Sequence, residues 1–465
     1  MAPVLVIGLG VTGEAVARRM VADGDHVVVV DDRASPERRA LADAVGVELV
    51  EAPGPAALAA LVGAADVVVV SPGVPVSHPV FAVPGADLVS EVELAARRCR
   101  APIVGVTGTN GKTTVTTLIT DMLLHAGRRA VAAGNIGTAL IEVVGGGPPG
   151  PGGAPLSGAA APEVVVAPEV VVAELSSFQL FLTSSFRPAV SVWLNFTEDH
   201  LDWHPSLEHY RAAKARIWAN THDDDVVIGN ADDPVVSAEL ARAGGRPVTF
   251  GLAAQGLVGV PHYGLADGWL VTPEGERVAA ADELPRALPH ELANGLAATA
   301  AAVAAGATPA DCRAVLLRFA GLPHRIELVG ESGGVRWYDD SKATTPASVV
   351  AALRGFPSAV LIAGGRNKGL SFARLRAEAP RLRAAVAIGE AAGEIDLALH
   401  GVCPVVRAPS MTEAVAAAAR LAHPGDAVLL SPGAASFDWY DSYAERGDDF
   451  ARAVREHHQT EGASR

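Results

Sequence analysis

Lysine is nearly missing from this chain. Among 465 residues there are four, at 112, 214, 342 and 368, against 33 arginines. Richness in alanine, glycine and arginine with so little lysine reads as the bias of a GC-rich genome, under which exposed lysines drift to arginine at little cost. The four that remain therefore raise a physical question: what an ammonium does there that a guanidinium cannot. Cysteine is scarce as well. Cys99, Cys312 and Cys403 are far apart in sequence, which excludes a disulfide framework and offers no metal spacing. They read as thiols in a reducing cytosol. Although 49% of residues are hydrophobic and the mean hydropathy is +0.27, no charge-free apolar run of 18 residues occurs. A membrane-spanning helix is not expected. The N-terminus "MAPVLVIGLG" lacks a basic segment and reads as a buried strand rather than a signal peptide, so a cytoplasmic location is expected. Basic runs are absent and the net charge is −15, which argues against nucleic acid as a partner. Any phosphorylated substrate has to be met by positive charge concentrated locally.

The chain is long enough for two to four domains of roughly 150 residues. Residues 1–93 alternate short Val/Ile/Leu runs ("VLVIGLG", "HVVVVDD", "DVVVVSPG") with helical patterns. Continuous apolar runs of this kind suit a parallel sheet covered on both faces. A second module, 94–321, opens with "PIVGVTG". The helix predicted after Lys112 places Val115, Leu118, Ile119, Met122 and Leu123 on one face. Strands are expected at "VVVAELSS" and "AVSVWLNF", and the Pro/Gly/Ala-rich stretch 145–169 reads as a flexible insertion. A third module, 322–465, repeats the alternation in "VLIAGG", "AVAIGE" and "AVLLSPG". The expected class is α/β, with three consecutive α/β domains: Rossmann-like, then P-loop ATPase-like with a mainly parallel sheet, then Rossmann-like.

In open parallel sheets ligands bind beyond the carboxyl ends of the strands, and the polar residues of interest fall there. "GTNGKTT" follows one strand. It supplies small residues at Gly108 and Gly111, a cation at Lys112, a hydroxyl at Thr113 and a helix N-terminus, the parts of a phosphate cradle. The first glycine of the usual phosphate-loop pattern is replaced by Val106. The plain alternative is a glycine turn with a stray lysine. Gly8, Gly10 and Gly13 form a G-x-G-x-x-G turn with Asp31 and Asp32 after the next strand. That turn accepts a diphosphate, and NAD, FAD and a UDP-sugar all carry one. "NFTEDHLDWHP" (195–205) is dense in Asn, Glu, Asp and His. Zinc on His200, Asp202 and His204 is conceivable, and Mg²⁺ on one histidine with acidic oxygens serves as well. His204 and His209 read as surface residues rather than ligands.

These segments together resemble the Mur ligases, ATP-dependent enzymes that add amino acids to the cytoplasmic peptidoglycan precursor. "GTNGKTT", "GNIG" (134–137), "ELSSFQL" (174–180), "NFTEDHLDWH", "YRAAKARI" (210–217), "GLPHRIE" (321–327), "DDSKATTP" (339–346), "GGRNKG" and "LSPGAASFDWYDSYAERGDDF" (430–450) match in order. The "DSKAT" and "SPGAASFD" forms are most similar to the D-glutamate-adding member. The resemblance covers the chain apart from 145–169. It implies that ATP activates the carboxylate of UDP-N-acetylmuramoyl-L-alanine as an acyl phosphate, which the amine of D-glutamate attacks. It implies an ATP site of Gly108, Thr109, Asn110, Gly111, Lys112, Thr113 and Thr114, with Asn294, Arg325 and Asp340. The UDP end of the muramoyl substrate falls to Gly10, Val11, Thr12, Arg33 and Gly73, with Asn135 and His200 further along it. Lys342, Thr344, Lys368, Ser436, Phe437 and Tyr443 grip D-glutamate. The catalytic set is Lys112, Glu174, His200 and Lys214. Two Mg²⁺ ions are implied, one on Thr113 and Glu174 and one on His200 and a carbamate formed on Lys214. Two positions depart from the family pattern: His290-Glu291 stands where His-Asn is usual, and Thr345 replaces an asparagine.

Another amino-acid ligase of the same superfamily, a folylpolyglutamate-type enzyme or a different Mur ligase, competes with this reading. The N-terminal UDP-type module argues against the folate enzyme, and the Asn-Pro-Arg-type motif expected of a diamino-acid-adding member is not found. An NAD-dependent dehydrogenase built on Gly8–Gly13 leaves the ATP loop and the third module without a role. A non-catalytic nucleotide-binding regulator leaves the metal and acid groups idle. A monomer is expected, because one chain can supply the whole site.

Overall fold

The computed structural model describes residues 3–33, 35–144, 167–201, 203–253, 256–367 and 369–463. Asp202, Lys368 and residues 145–166 of the expected insertion lie outside them. The chain divides into two compact units, Met1–Phe319 and Ala320–Arg465. The first contains two sheets and the second contains one.

The N-terminal sheet is built from β1 (Val4–Ile7), β2 (Val27–Asp31), β3 (Glu48–Glu51), β4 (Val67–Val70) and β5 (Leu88–Val89), all parallel, in the order β3-β2-β1-β4-β5. The valine runs of β1 and β2 are buried along their whole length, as strands covered on both faces must be. The direction of winding reverses between β1 and β4, which opens a crevice at their carboxyl ends. The Gly8–Gly13 turn leading into α1 (Val11–Ala22) and the Ser71–Gly73 turn flank that crevice.

The central sheet runs β14-β13-β12-β11-β10-β9-β6-β8-β7. Its strands are β6 (Ile103–Thr107), β7 (Ala130–Gly134), β8 (Val170–Glu174), β9 (Val190–Trp193), β10 (Val226–Asn230), β11 (Arg246–Phe250), β12 (His262–Ala266), β13 (Trp269–Val271) and β14 (Arg277–Ala280). β6 to β12 pair in parallel; β13 and β14 continue as an antiparallel meander. The decisive feature is β6 lying between β8 and β9, which brings the loops after all three strands side by side. Helix α2 (Lys112–His125) covers β6 with Val115, Leu118, Ile119, Met122 and Leu123, all buried as their spacing predicts.

The second unit holds β15 (Glu327–Ser332), β16 (Val335–Asp339), β17 (Ala359–Gly364), β18 (Leu382–Ile388), β19 (Val405–Ala408) and β20 (Ala427–Leu430), in the order β15-β16-β20-β17-β18-β19. Only the β15–β16 pair is antiparallel. Among the described residues no helix is long and apolar enough to cross a membrane.

Two glutamates at the junction of the first two sheets titrate in opposite directions. Glu93, buried, accepts from the amides of Ser184, Ser185 and Phe186 and from the Ser185 hydroxyl. Burial pushes its carboxyl up, but these donors and Arg97 outweigh burial and hold it at about 2. Glu91 is equally buried. It accepts from the Ile141 amide at 2.7 Å, and its Oε2 finds no partner among the described residues. Burial pushes its carboxyl up to about 7. The stability Glu93 contributes is present above pH ~4.5 and lost as pH falls toward 2; Glu91 costs stability as pH rises from ~4.5 to 7. Glu91→Gln, which keeps the acceptor for Ile141, should therefore gain on the parent between pH 5 and pH 8, by on the order of 2 kcal/mol. Melting temperatures of both proteins at the two pH values check this, and a gap that does not widen contradicts it.

Candidate active site

The glycine turn after β1 is built for close approach. Gly8 has φ +90°, and a Cβ on Gly13 would lie 2.0 Å from the Gly8 carbonyl oxygen, so only glycine lets α1 begin there. The Ser71 hydroxyl donates to that same carbonyl at 2.7 Å, tying the two turns together. No side chain caps the start of α1 at Gly10, and Val11 stands exposed beside it. An uncapped helix N-terminus facing a crevice suits a diphosphate. Asp31 ends β2, where a dinucleotide site keeps its ribose-binding acid, but its oxygens are already engaged. It is buried, accepts from the amides of Leu9 (2.7 Å) and Arg33 (2.8 Å), and pairs with Arg38. Its oxygens hold the turn.

The loop after β6 has the same uncapped design. Gly111 has φ +84° and caps α2 with no side-chain bond. A Cβ on Gly108 would lie 2.9 Å from the Leu194 side chain, and one on Gly111 would lie 2.6 Å from Asn294 Oδ1. Asn294, on the long helix Pro289–Ala304 (α3), is thereby brought against the phosphate loop. Asn195, after β9, clasps the loop from the other side. Its side chain accepts from the Asn110 amide at 2.9 Å and donates to the Asn110 carbonyl at 3.0 Å. Thr109 meets Tyr210 at 3.2 Å and accepts from the Thr197 amide at 3.0 Å. Sequence reasoning gave neither Asn195 nor Tyr210 a role at this loop; the only cue available was an asparagine directly after a strand.

Two of the four lysines meet here. Lys112 Nζ donates to the Gly108 carbonyl at 2.9 Å, and Lys214 Nζ donates to the same oxygen at 2.8 Å. Lys214 is 2% exposed. Burial, and then the positive charge of Lys112, push its ammonium well below the usual lysine range. Both effects favour the neutral amine over the ammonium at Lys214.

Glu174 ends β8, also 2% exposed. Asn135 Nδ2 donates to its Oε1 at 2.9 Å, while Oε2 is buried with no hydrogen-bond partner among the described residues. A buried carboxylate oxygen left in this way is costly unless a cation completes it. Gly134 makes the approach possible, since a Cβ there would lie 2.4 Å from the Glu174 carbonyl oxygen. The side chains therefore fit a hard cation: an acid oxygen at the end of β8 and the buried Thr113 hydroxyl in the first turn of α2.

The 195–205 segment corrects one expectation. His204 is fully buried, not a surface residue. Its Nδ1 faces His209 Nδ1 at 2.8 Å and its Nε2 faces the Ser177 hydroxyl at 2.9 Å. With both nitrogens committed it is not a metal ligand, and the zinc arrangement loses a member. Burial, helped by His209, His200 and Lys214, pushes it down to about 3, so it is neutral. His200 has φ +54°, takes the Asp199 carboxylate as acceptor for its amide, and packs edge-on against Phe178. Trp203 Nε1 donates to the Val74 carbonyl at 2.9 Å, which joins this segment to the Ser71–Gly73 turn of the N-terminal sheet. The glycine turn and the phosphate loop are thus linked within one unit. Thr12, Arg33 and Gly73 lie on the N-terminal sheet's side of that link; a Cβ on Gly73 would meet nothing within 4 Å. Thr114 follows Thr113 in the first turn of α2.

The departure at Glu291 has a structural reason. Glu291 caps α3 by accepting from the Leu288 amide at 3.0 Å and pairs with Arg286. Burial, with Arg286, pushes the neighbouring His290 down to about 4. Thr345 likewise has a use: its hydroxyl accepts from the Ser348 amide at 3.3 Å and caps the helix Pro346–Leu353.

In the second unit, Asp340 is buried at the end of β16 and accepts from the Ser431 hydroxyl at 2.7 Å. Burial pushes its carboxyl up to about 7, against the Ser431 bond and the charge of Arg325. Lys342 lies 5.0 Å over the Tyr443 ring. Thr344 is half-buried on the same loop as Lys342. Ser436 is buried, whereas Phe437 is 60% exposed and so is not a packing residue.

Three family signatures cover most of the chain: the MurD-like N-terminal domain over residues 2–89, the Mur ligase middle domain over 106–302, and the Mur ligase glutamate ligase domain over 324–434. The UDP-N-acetylmuramoylalanine–D-glutamate ligase of Frankia casuarinae is 45% identical, across 97% of this chain and 94% of its own. The chain is a member of the Mur ligase family. The enzyme of the same designation from Pelotomaculum thermopropionicum is 41% identical, across 97% of each chain. Solved Mur ligase relatives share the fold at low identity. A pseudomurein peptide ligase type C from Methanothermus fervidus is similar with a TM-score of 0.58 at 17% identity, covering 98% of this chain and 100% of that one. The UDP-N-acetylmuramate-alanine ligase MurC from Thermotoga maritima gives 0.56 at 20%, covering 99% of each. In this Mur ligase the imperfect loop at Gly108–Thr113 falls in the middle domain that bears the family name, and the flawless glycine motif falls in the MurD-like N-terminal domain. Use of ATP is consistent with that membership.

Proposed function

We propose that this chain is an acid–D-amino-acid ligase that joins D-glutamate to UDP-N-acetylmuramoyl-L-alanine, converting ATP to ADP and phosphate, in cytoplasmic peptidoglycan precursor synthesis, and that it acts as a monomer. A carboxylate is a poor acyl donor because its leaving group would be oxide. ATP removes that obstacle. One oxygen of the L-alanyl carboxylate attacks the γ-phosphorus and ADP leaves. The deprotonated amine of D-glutamate then attacks the acyl carbon, the C–O bond to the phosphate breaks, and phosphate leaves with that oxygen. Several anions must be held together, so catalysis is mainly positioning and charge neutralisation.

The residues take the following parts. Gly10, Val11, Thr12, Arg33 and Gly73 hold the UDP end, with Asn135 and His200 nearer the reacting carboxylate. The amides of Gly108–Thr114 and the Lys112 ammonium hold the ATP phosphates, while Asn294, Arg325 and Asp340 contact the nucleotide. Thr113 and Glu174 would hold one Mg²⁺, and His200 with a carbamate on Lys214 a second; the metal supplies charge neutralisation for the transferring phosphoryl group. Lys342, Thr344, Lys368, Ser436, Phe437 and Tyr443 grip D-glutamate.

The observation that most supports the reading is the buried Glu174 oxygen without a hydrogen-bond partner among the described residues, set on the strand next to an uncapped phosphate loop. The amino acid follows from the relatives at 45% and 41% identity. Phosphate release from ATP, with UDP-N-acetylmuramoyl-L-alanine and D-glutamate together and with each omitted, tests it. Sustained release that needs both substrates is expected; release that ignores D-glutamate contradicts it. Selectivity is a second check. A site with Lys368 and Ser436 on the side-chain carboxylate leaves a charge unpaired when D-glutamine binds, so kcat/KM should fall by roughly 10³-fold or more. Comparable values for the two amino acids refute that assignment.

A further inference from the structure

The last helix, Tyr443–Ala463 (α4), carries an arginine that none of the roles above uses. Arg446 is 1% exposed, among the largest fully buried side chains in the chain. Its guanidinium reaches three separate strand-end loops. Nε donates to Ser341 Oγ at 2.9 Å and Nη2 to the Ser341 carbonyl at 2.8 Å, in the loop after β16. Nη1 donates to the Ala434 carbonyl at 3.2 Å, in the loop after β20, and lies 3.5 Å from the Gly364 carbonyl oxygen at the end of β17. β16, β20 and β17 are successive neighbours in the sheet. The loops are also bonded to one another: the Gly433 amide donates to Ala343 and the Gly364 amide to Pro432, each at 2.8 Å. The fit is close, since a Cβ on Gly365 would lie 3.0 Å from Nη1 and 2.2 Å from the Ala435 carbonyl oxygen.

Burying a guanidinium is expensive, and an apolar residue could fill the space without that cost. Here it bonds only carbonyls and a hydroxyl. Among the described residues no carboxylate lies within ion-pair distance of it. Burial pushes it down to about 10, and Asp438 and Asp339 act on it only at range. It therefore remains a cation at neutral pH, fixed beneath loops that carry Lys342, Thr344, Ser436 and Phe437. A lysine could carry the charge there, but not the planar fork that bonds several loops from one centre.

We propose that Arg446 is a positioning residue for the amino-acid substrate: its fork sets the three strand-end loops in one register and keeps a fixed positive charge beneath them for a dicarboxylate. The proposal rests on the reading of those loops as the D-glutamate site. Its consequence is selective. Loss of the fork weakens D-glutamate binding and leaves the activation of the muramoyl carboxylate intact.

The test measures KM for D-glutamate, ATP and UDP-N-acetylmuramoyl-L-alanine in Arg446→Lys, Arg446→Met and Ser341→Ala, with circular dichroism and melting temperature. A borohydride trap for the acyl phosphate, run without D-glutamate, accompanies these. In the folded arginine variants the D-glutamate KM should rise about tenfold or more, with the other two KM values and the trapped acyl phosphate within about threefold of the parent. Ser341→Ala, which removes one acceptor and keeps the charge, should shift the same KM by a smaller factor, and it decides the matter if neither arginine variant folds. An unchanged D-glutamate KM, or three KM values moving together with a lower melting temperature, overturns the proposal. Ser436→Ala separates the two levels. If it leaves the D-glutamate KM unchanged, the assignment of the loops is wrong; if it raises that KM while the Arg446 variants do not, only the role of Arg446 is wrong.

Discussion

Lys214→Arg should fold normally and turn over at less than about one-thousandth of the parent rate, the scale of losing a charge-stabilising group at a transferring phosphoryl. The reason is chemical rather than steric. Lys214 is buried and donates to the Gly108 carbonyl that Lys112 also uses, and burial and then Lys112 push its ammonium well below the usual lysine range, which favours the neutral amine. A neutral amine can add CO₂ and become an anionic carbamate; a guanidinium, protonated at every accessible pH, cannot. Arginine at 214 would place a permanent second cation beside Lys112. The plain alternative is a helix residue that anchors the loop through one hydrogen bond, and arginine would supply that bond too. Turnover and circular dichroism of Lys214→Arg distinguish them, and a rate near the parent's refutes the carbamate. Lys214→Ala offers a second arm: a small added carboxylic acid should restore part of its activity.

Glu174→Gln should lose a comparable factor, roughly 10³ in kcat, and shift the Mg²⁺ concentration for half-maximal rate upward. Its stability should not fall. The parent buries a carboxylate oxygen with no hydrogen-bond partner among the described residues, so replacing the acid by a neutral amide removes a burden, while an amide oxygen can still accept from Asn135. A purely structural glutamate would give the opposite result: a lower melting temperature with an unchanged Mg²⁺ response.

The parts of the fold that were legible in the sequence are those where one physical requirement governs a continuous stretch. Valine runs such as β2 and β8 can only be strands buried on both faces, and the spacing of Val115 to Leu123 can only be one helix face. The β12–β14 meander was not legible, because three- to five-residue strands with partly exposed side chains leave no clear period. Of the candidate site, the loop at Gly108–Thr113 could be read because its residues are contiguous. His204 could not: a histidine in a polar, acidic segment looks solvated, and only the Ser177 and His209 partners and the surrounding aromatic rings bury it. Arg446 was hidden for the same reason. Its partners lie 12, 82 and 105 residues away in the chain, and nothing near it in sequence announces them. Lysine scarcity was informative in a different way. It singled out four positions, and at Lys214 burial, which disfavours the ammonium, is the physical reason to ask what a lysine does there.

The central claim is that the muramoyl carboxylate is activated by ATP before the amine attacks, and oxygen transfer tests it most directly. UDP-N-acetylmuramoyl-L-alanine carrying ¹⁸O in both carboxylate oxygens is turned over with ATP and D-glutamate, and the released phosphate is analysed by mass spectrometry. An acyl phosphate route moves one labelled oxygen into each phosphate and leaves the other in the new amide. Phosphate free of ¹⁸O, with dipeptide product formed, would contradict the account.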